Sequence, residues 1–180
     1  LVAGTATNIS VGVNWSAATG SVFTAGTGTV TFNGTGAQQI LGTLATKTFN
    51  NVVVNKTVAT LLNTAGGTTT VAVNNMTMTQ GDFTPPATLN ITGTITLTAG
   101  TLTAGTNTNI GGDWTNNGGT FTPGAGTVTF NGTAAQAVNG TAISHTFNSV
   151  TLNNSNGLTI GANVTVNGTL TFTTGRITTS

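Results

Sequence analysis

Between Gly157 and Thr179 the chain reads GLTIGANVTVNGTLTFTTGRITT, and this stretch limits the possible folds more than any other. Its segments centre on Leu158 and Ile160, Val164 and Val166, Leu170 and Phe172, and Ile177, and each alternates one apolar residue with a polar one, mostly Thr. Alternation with period two marks a half-buried strand, because successive side chains leave the backbone on opposite faces. Gly161, Asn163, Asn167, Gly168 and Gly175 fall between the segments and suit tight corners. The segments follow one another too closely for crossover helices, and no helical period is present. The pattern predicts an all-β, parallel β-solenoid (β-helix), with apolar side chains inside and Thr outside.

Thr, Gly and Asn supply 94 of 180 residues, while charged residues are 3% and hydrophobic ones 37%. So apolar a chain can bury a core, and a solenoid's core is thin and grows rung by rung. With no Cys there is no disulfide framework and no thiolate metal site. A net charge of +1 offers no basic footprint for nucleic acid. No apolar run approaches the roughly 18 residues of a spanning helix, so no membrane insertion is expected. The chain starts at Leu1 without a basic and apolar leader, which leaves open a removed precursor segment or an excerpt of a longer chain.

The chain is nearly two units of one repeat. Phe23 to Gln38, FTAGTGTVTFNGTGAQ, returns at Phe121 to Gln136 as FTPGAGTVTFNGTAAQ, identical at 13 of 16 positions and displaced by 98. Trp15 meets Trp114 at a displacement of 99, and Met76 and Met78 meet Leu170 and Phe172 at 94. Small insertions therefore fall in corners. The reading divides the rod into residues 1–100 and an incomplete second unit, 101–180, in one continuous coil.

A shorter period lies inside each unit. Val30 and Phe32 are followed 22 residues on by Val52 and Val54, Val128 and Phe130 by Val150 and Leu152, and these 20 later by Leu170 and Phe172. These ten residues are the expected core ladder. The period predicts three strands per rung of about 20–22 residues, coiled right-handed by the usual chirality of parallel connections. Asn33 with Asn55, and Asn131 with Asn153, are expected to stack as short amide ladders.

Candidate chemistry is sparse. Asp82 and Asp113 are the only carboxylates and fall where the other unit carries Arg176 and Asn14, which suggests solvated corners. His145 replaces Lys47 and is expected in an exposed loop, without ligand-spaced partners. Catalytic residues, cofactors and metal sites are therefore expected to be none. Trp15 and Trp114 are read as inward fillers of a widened rung, and would serve as sugar platforms only if turned outward. Asn in N-x-Ser/Thr contexts that a glycosylating cell could modify include Asn8, Asn14, Asn33, Asn55, Asn75, Asn90, Asn131, Asn139, Asn163 and Asn167.

A Thr coat hydrates the rod without charge and suits an extracellular or cell-surface setting. Neither end reads as capped: Leu1 to Asn8 resembles Leu102 to Asn109, and Arg176 to Ser180 stops in mid-pattern. Raw solenoid ends expose backbone and core, so the expected partner is the chain itself, head to tail, or a longer array. The FNGT-x-AQ block, the GGDWTNNGGTFTPG run and the NVTVNGTLTFTTG ending resemble Thr/Asn/Gly-rich β-strand-repeat proteins of microbial surfaces. They are similar to passengers of large adhesins and filamentous-haemagglutinin-like exoproteins. The resemblance implies a secreted rod with a stalk, fibre or adhesive role and carries no functional residue across. The alternatives are a Thr-face binding module for glycans or ice, and a polysaccharide-acting β-helix enzyme that would need Asp82 and Asp113 together.

Overall fold

The computed structural model describes residues 7–57 and 60–180. These residues form an all-β coil of about eight turns in which neighbouring strands run parallel, with no helix among them. Leu1 to Ala6, most of the segment resembling Leu102 to Asn109, lie outside the described residues.

The first turn holds β1 (Asn8–Val11), β2 (Trp15–Ser16) and a single bridged residue, Thr24, on the remaining side. Next come β3 (Thr29–Phe32), β4 (Gln38–Leu41) and β5 (Thr46–Thr48), then β6 (Asn51–Asn55), β7 (Leu61–Thr64) and β8 (Thr70–Val73). The following turns are β9 (Asn75–Gln80), β10 (Asp82–Thr84) and β11 (Thr88–Ile91), then β12 (Ile95–Leu97), β13 (Thr101–Thr103) and β14 (Asn107–Ile110). Above them lie β15 (Trp114–Asn116), β16 (Thr120–Thr122) and β17 (Thr127–Phe130), then β18 (Gln136–Asn139), β19 (Ser144–Phe147) and β20 (Ser149–Asn153). The last are β21 (Leu158–Ile160), β22 (Asn163–Val166), β23 (Leu170–Thr174) and β24 (Ile177–Thr179).

Each turn visits three sides. The first side is a nine-stranded ladder from β1 through β12 to β24, and it passes residue 100 without a break. The third side carries seven strands from β5 to β23. The second side carries six from β2 to β16, then resumes as the pair β19 and β22. Turn length ranges from 18 residues, between Thr70 and Thr88, to 25, between Trp15 and Ile40. That spread is wider than the expected 20–22, because corners of different length absorb the insertions while the stacked strands keep their register.

Alternation decides which side chains enter the lumen. In β3, Thr29 and Thr31 point out, while Val30 and Phe32 are 1% and 0% exposed. The expected stacking holds pair by pair: Val30 on Val52, Phe32 on Val54, Val128 on Val150, Phe130 on Leu152, Val150 on Leu170 and Leu152 on Phe172. Eight of these ten are buried. Leu170 and Phe172, on the outermost strand of their side, are 42% and 54% exposed.

The two units do not lie above one another. β3 belongs to the first side, but β17, with the same sequence TVTF, belongs to the third. Likewise β4 and β18, and β9 and β23, are fourteen strands apart and change sides. Fourteen strands at three per turn fall one strand short of five turns. Each unit is therefore turned back by one side relative to the unit before it.

Each unit builds the same aromatic quartet inside the coil. Trp15 meets Phe23 and Phe49 edge-on at 4.7 and 5.1 Å between ring centroids, and Phe49 meets Phe32 at 6.1 Å. Trp114 meets Phe121 and Phe147 at 4.8 and 5.1 Å, and Phe147 meets Phe130 at 6.3 Å. Edge-to-face packing of this kind adds roughly 0.5–1.5 kcal/mol per pair beyond burial. The break between β16 and β19 adjoins the second quartet, and the lone bridge at Thr24 adjoins the first, so the bulky rings coincide with the widened turns.

Candidate functional site

The FNGT-x-AQ block makes an internal polar corner, not an outward motif. Its Gln is buried in both units, 1% exposed at Gln38 and 2% at Gln136. Gln38 Nε2 donates to the carbonyls of Val11 at 2.8 Å and Val13 at 2.6 Å on the turn below, and its Oε1 accepts from the N–H of Gly34 at 2.8 Å. Gln136 repeats this with the carbonyls of Ile110 and Gly112 and the N–H of Gly132. A corner that leaves ladder geometry orphans backbone groups, and a buried amide with two donors and an acceptor can satisfy them.

A second side chain completes each corner. Lys56, 1% exposed, donates its ammonium to Gly34 O at 3.0 Å, Gly36 O at 2.7 Å and Gln38 Oε1 at 2.8 Å. Three donors meet three acceptors. In the second unit Asn154 stands there, its Nδ2 donating to Ala134 O at 2.7 Å and Gln136 Oε1 at 2.9 Å. Identity of the Gln between units was the sequence signal for this site, but nothing local in the sequence showed that the lysine turns inward.

Lys47 and its second-unit equivalent His145 are both buried, which corrects the exposed loop expected for His145. They are 2% and 4% exposed, on β5 and β19, with side chains in the lumen. Lys47 Nζ donates to Leu44 O and, at 3.0 Å, to Thr68 Oγ1. His145 has no hydrogen-bond partner at either ring nitrogen. Burial pushes both lysines and His145 below their ordinary pKa values.

The carboxylates lie apart in the fold. Asp82 opens β10 on the second side, paired with Leu61 and Thr101, so it is a strand residue and not part of a corner. Asp113 precedes β15 on the first side, and its Oδ1 accepts the Ala137 N–H at 2.8 Å. Asn14 does the same for Gln39 at 2.9 Å, which explains why either residue serves. No cluster of three His, Cys, Asp or Glu that could hold a metal occurs among the described residues.

The expected amide ladders shift position. Amide-to-amide bonds run from Asn75 to Asn51 at 3.0 Å and from Asn109 to Asn90 at 2.7 Å. Asn33, Asn55, Asn131 and Asn153 lie at exposed strand ends, where Asn153 Oδ1 accepts from Thr174. Of the N-x-Ser/Thr asparagines named above, seven are exposed, whereas Asn75, Asn90 and Asn139 are half-buried and hydrogen-bonded through their side chains. Trp114 is 0% exposed and Trp15 packs against the core, so neither ring offers an outward platform.

Outward columns are mixed. The first side stacks Ser10, Thr31, Val53, Thr77, Thr96, Thr115 and Asn139 in register. Only its middle is a run of Thr, which falls short of a flat Thr-x-Thr array.

The last turn opens the lumen. An apolar cavity of about 330 Å³ reaches the surface there, walled by Phe147, Leu158, Val164, Val166, Leu170 and Ile177 among others. In the first unit the residues equivalent to Leu170 and Phe172 are Met76 and Met78, exposed by 1% and 0% because Ile95 and Leu97 of β12 stack on them. No protein-family profile, curated protein or solved structure compared with the chain matches it.

Proposed function

We propose that this chain is a non-enzymatic structural rod, a segment of an extracellular surface fibre lengthened by stacking turns end to end. The observation that carries the reading is the parallel stacking of turns, in which each turn seals the apolar residues of the one before it, as Ile95 and Leu97 seal Met76 and Met78. Apolar area buried between stacked turns favours stacking by about 25 cal/mol per Å². Backbone ladders add hydrogen bonds at every such step. Support for a surface setting comes from the uncharged Thr and Asn coat. Support for a non-catalytic role comes from the separation of Asp82 and Asp113 and from the backbone acceptors that hold both lysines.

Electron microscopy and sedimentation of the purified chain test the proposal. Fibres or concentration-dependent oligomers are expected, and monomers persisting at high concentration would overturn it. A Thr-face binding role is the second reading, resting on the stacked Thr77, Thr96 and Thr115. Thermal hysteresis activity would promote it.

A further inference from the structure

Six Asn-Gly steps occur in the sequence, at Asn33, Asn117, Asn131, Asn139, Asn156 and Asn167. An Asn followed by Gly is open to attack from within the chain, because Gly has no side chain to hinder its own backbone nitrogen. That nitrogen closes on the carboxamide carbon of the Asn before it. A nitrogen whose N–H is held in a hydrogen bond is not free to do so, and the fate of each step depends on where its Gly N–H points.

Five of the six are held. Gly34 N–H donates to Gln38 Oε1 and Gly132 N–H to Gln136 Oε1, both at 2.8 Å. Gly118 N–H donates to Asn116 Oδ1 at 3.0 Å, Gly157 N–H to Asn154 O at 3.0 Å and Gly168 N–H to Asn148 O at 2.7 Å. The buried Gln of each FNGT-x-AQ block therefore guards the Asn-Gly step of its own corner. Gly140 differs. It is exposed just beyond β18, lines an open surface hollow with Ala142 and Gly161, and its N–H makes no hydrogen bond among the described residues.

The side chain beside it is set for attack. Asn139 Oδ1 accepts from Thr115 Oγ1 at 2.7 Å, which polarises the carboxamide and steadies negative charge gathering on that oxygen. In the first unit the same corner reads Leu41 and Gly42. Gly42 and Gly140 have φ of 105° and 118°, and a Cβ on either would strike the backbone of Ala17 or Asn116. The corner demands Gly in both units, whereas the Asn before it belongs to the second alone.

We infer that Asn139 is a modification site, the Asn-Gly step at which the folded chain deamidates first. Gly140 N bonds to Asn139 Cγ, the Cγ–Nδ2 bond breaks, and ammonia leaves with the Gly140 proton. Solvent water then opens the resulting succinimide to aspartate or isoaspartate. Either product adds one negative charge, which cancels the chain's net +1. Isoaspartate also lengthens the main chain by one carbon where β18 ends.

Peptide mass mapping of the chain aged in mildly alkaline buffer tests this. Asn139 should convert roughly tenfold faster than any other Asn-Gly step, a ratio set by the cost of freeing a bonded N–H. In denaturant the six should convert at comparable rates. Asn139→Leu, which copies the first unit, should remove the early acidic species seen on ion exchange. Conversion of Asn33 or Asn131 as fast as Asn139 in the folded chain, the same ranking in denaturant, or an early acidic species persisting in Asn139→Leu would overturn the inference.

Discussion

Met78 and Phe172 hold the same place in the two units and differ in what lies above them: Met78 is 0% exposed beneath Leu97, and Phe172 is 54% exposed. The same substitution should therefore have opposite consequences. Met78→Asp puts an unpaired charge in the lumen and is expected to cost about 4 kcal/mol or more, read as loss of the folded baseline in thermal denaturation. Phe172→Asp should leave the melting of the dispersed chain within about 1 kcal/mol of the parent while abolishing oligomers in sedimentation. Equal melting of the two variants would show that Met78 is not interior.

Lys56 and Asn154 perform one task with different chemistry, each donating to the buried Gln of its own unit. Lys56→Asn is expected to be neutral or stabilising, since it removes a buried cation and keeps a donor. Gln136→Leu deletes bonds to Ile110, Gly112 and Gly132 at once. Orphaned backbone groups cost about 1–3 kcal/mol each, so denaturant unfolding should shift by at least about 3 kcal/mol.

His145 gives the rod a pH dependence. Its folded-state pKa is lowered by burial, so between that value and the ordinary ~6.5 the unfolded chain binds a proton that the folded chain refuses. The contribution of His145 should be constant above about pH 7.5 and fall as the pH drops through 6.5 toward the folded-state value, whereas the lowered lysines act in the alkaline range below their ordinary ~10.5. His145→Leu also removes two unpartnered nitrogens. It is expected to stabilise the rod by about 1–2 kcal/mol and to abolish the slope between pH 5.5 and 7.5. Melting curves of parent and variant at pH 5.5 and 7.5 decide it, and parallel pH profiles would refute the assignment.

Gly100 turns a corner with φ of 77° directly against the backbone of Gly81, whose carbonyl oxygen a Cβ would strike. Gly100→Ala combines left-handed strain with a backbone clash between turns. A loss of about 2 kcal/mol or more is expected in equilibrium unfolding. Gly124, at φ of 52° with open space around it, should lose only about 1 kcal/mol on the same change.

What the sequence determined by itself was the alternation of inside and outside along the apolar strands and the stacking, one turn away, of the ten ladder residues. Val30 with Val52 and Phe130 with Leu152 were legible because alternation follows from backbone pleat, a property of neighbouring residues alone. Only the tertiary structure decided which side of the coil a segment joins, since that depends on the summed length of every corner before it. Thus TVTF at Thr29 and TVTF at Thr127 read alike and lie on different sides. The same holds for Lys47, Lys56 and His145, polar residues that sequence rules place in solvent. Their burial depends on carbonyls and hydroxyls presented by corners of their own and neighbouring turns for the lysines, and on space in the lumen for the imidazole, and no local pattern encodes either.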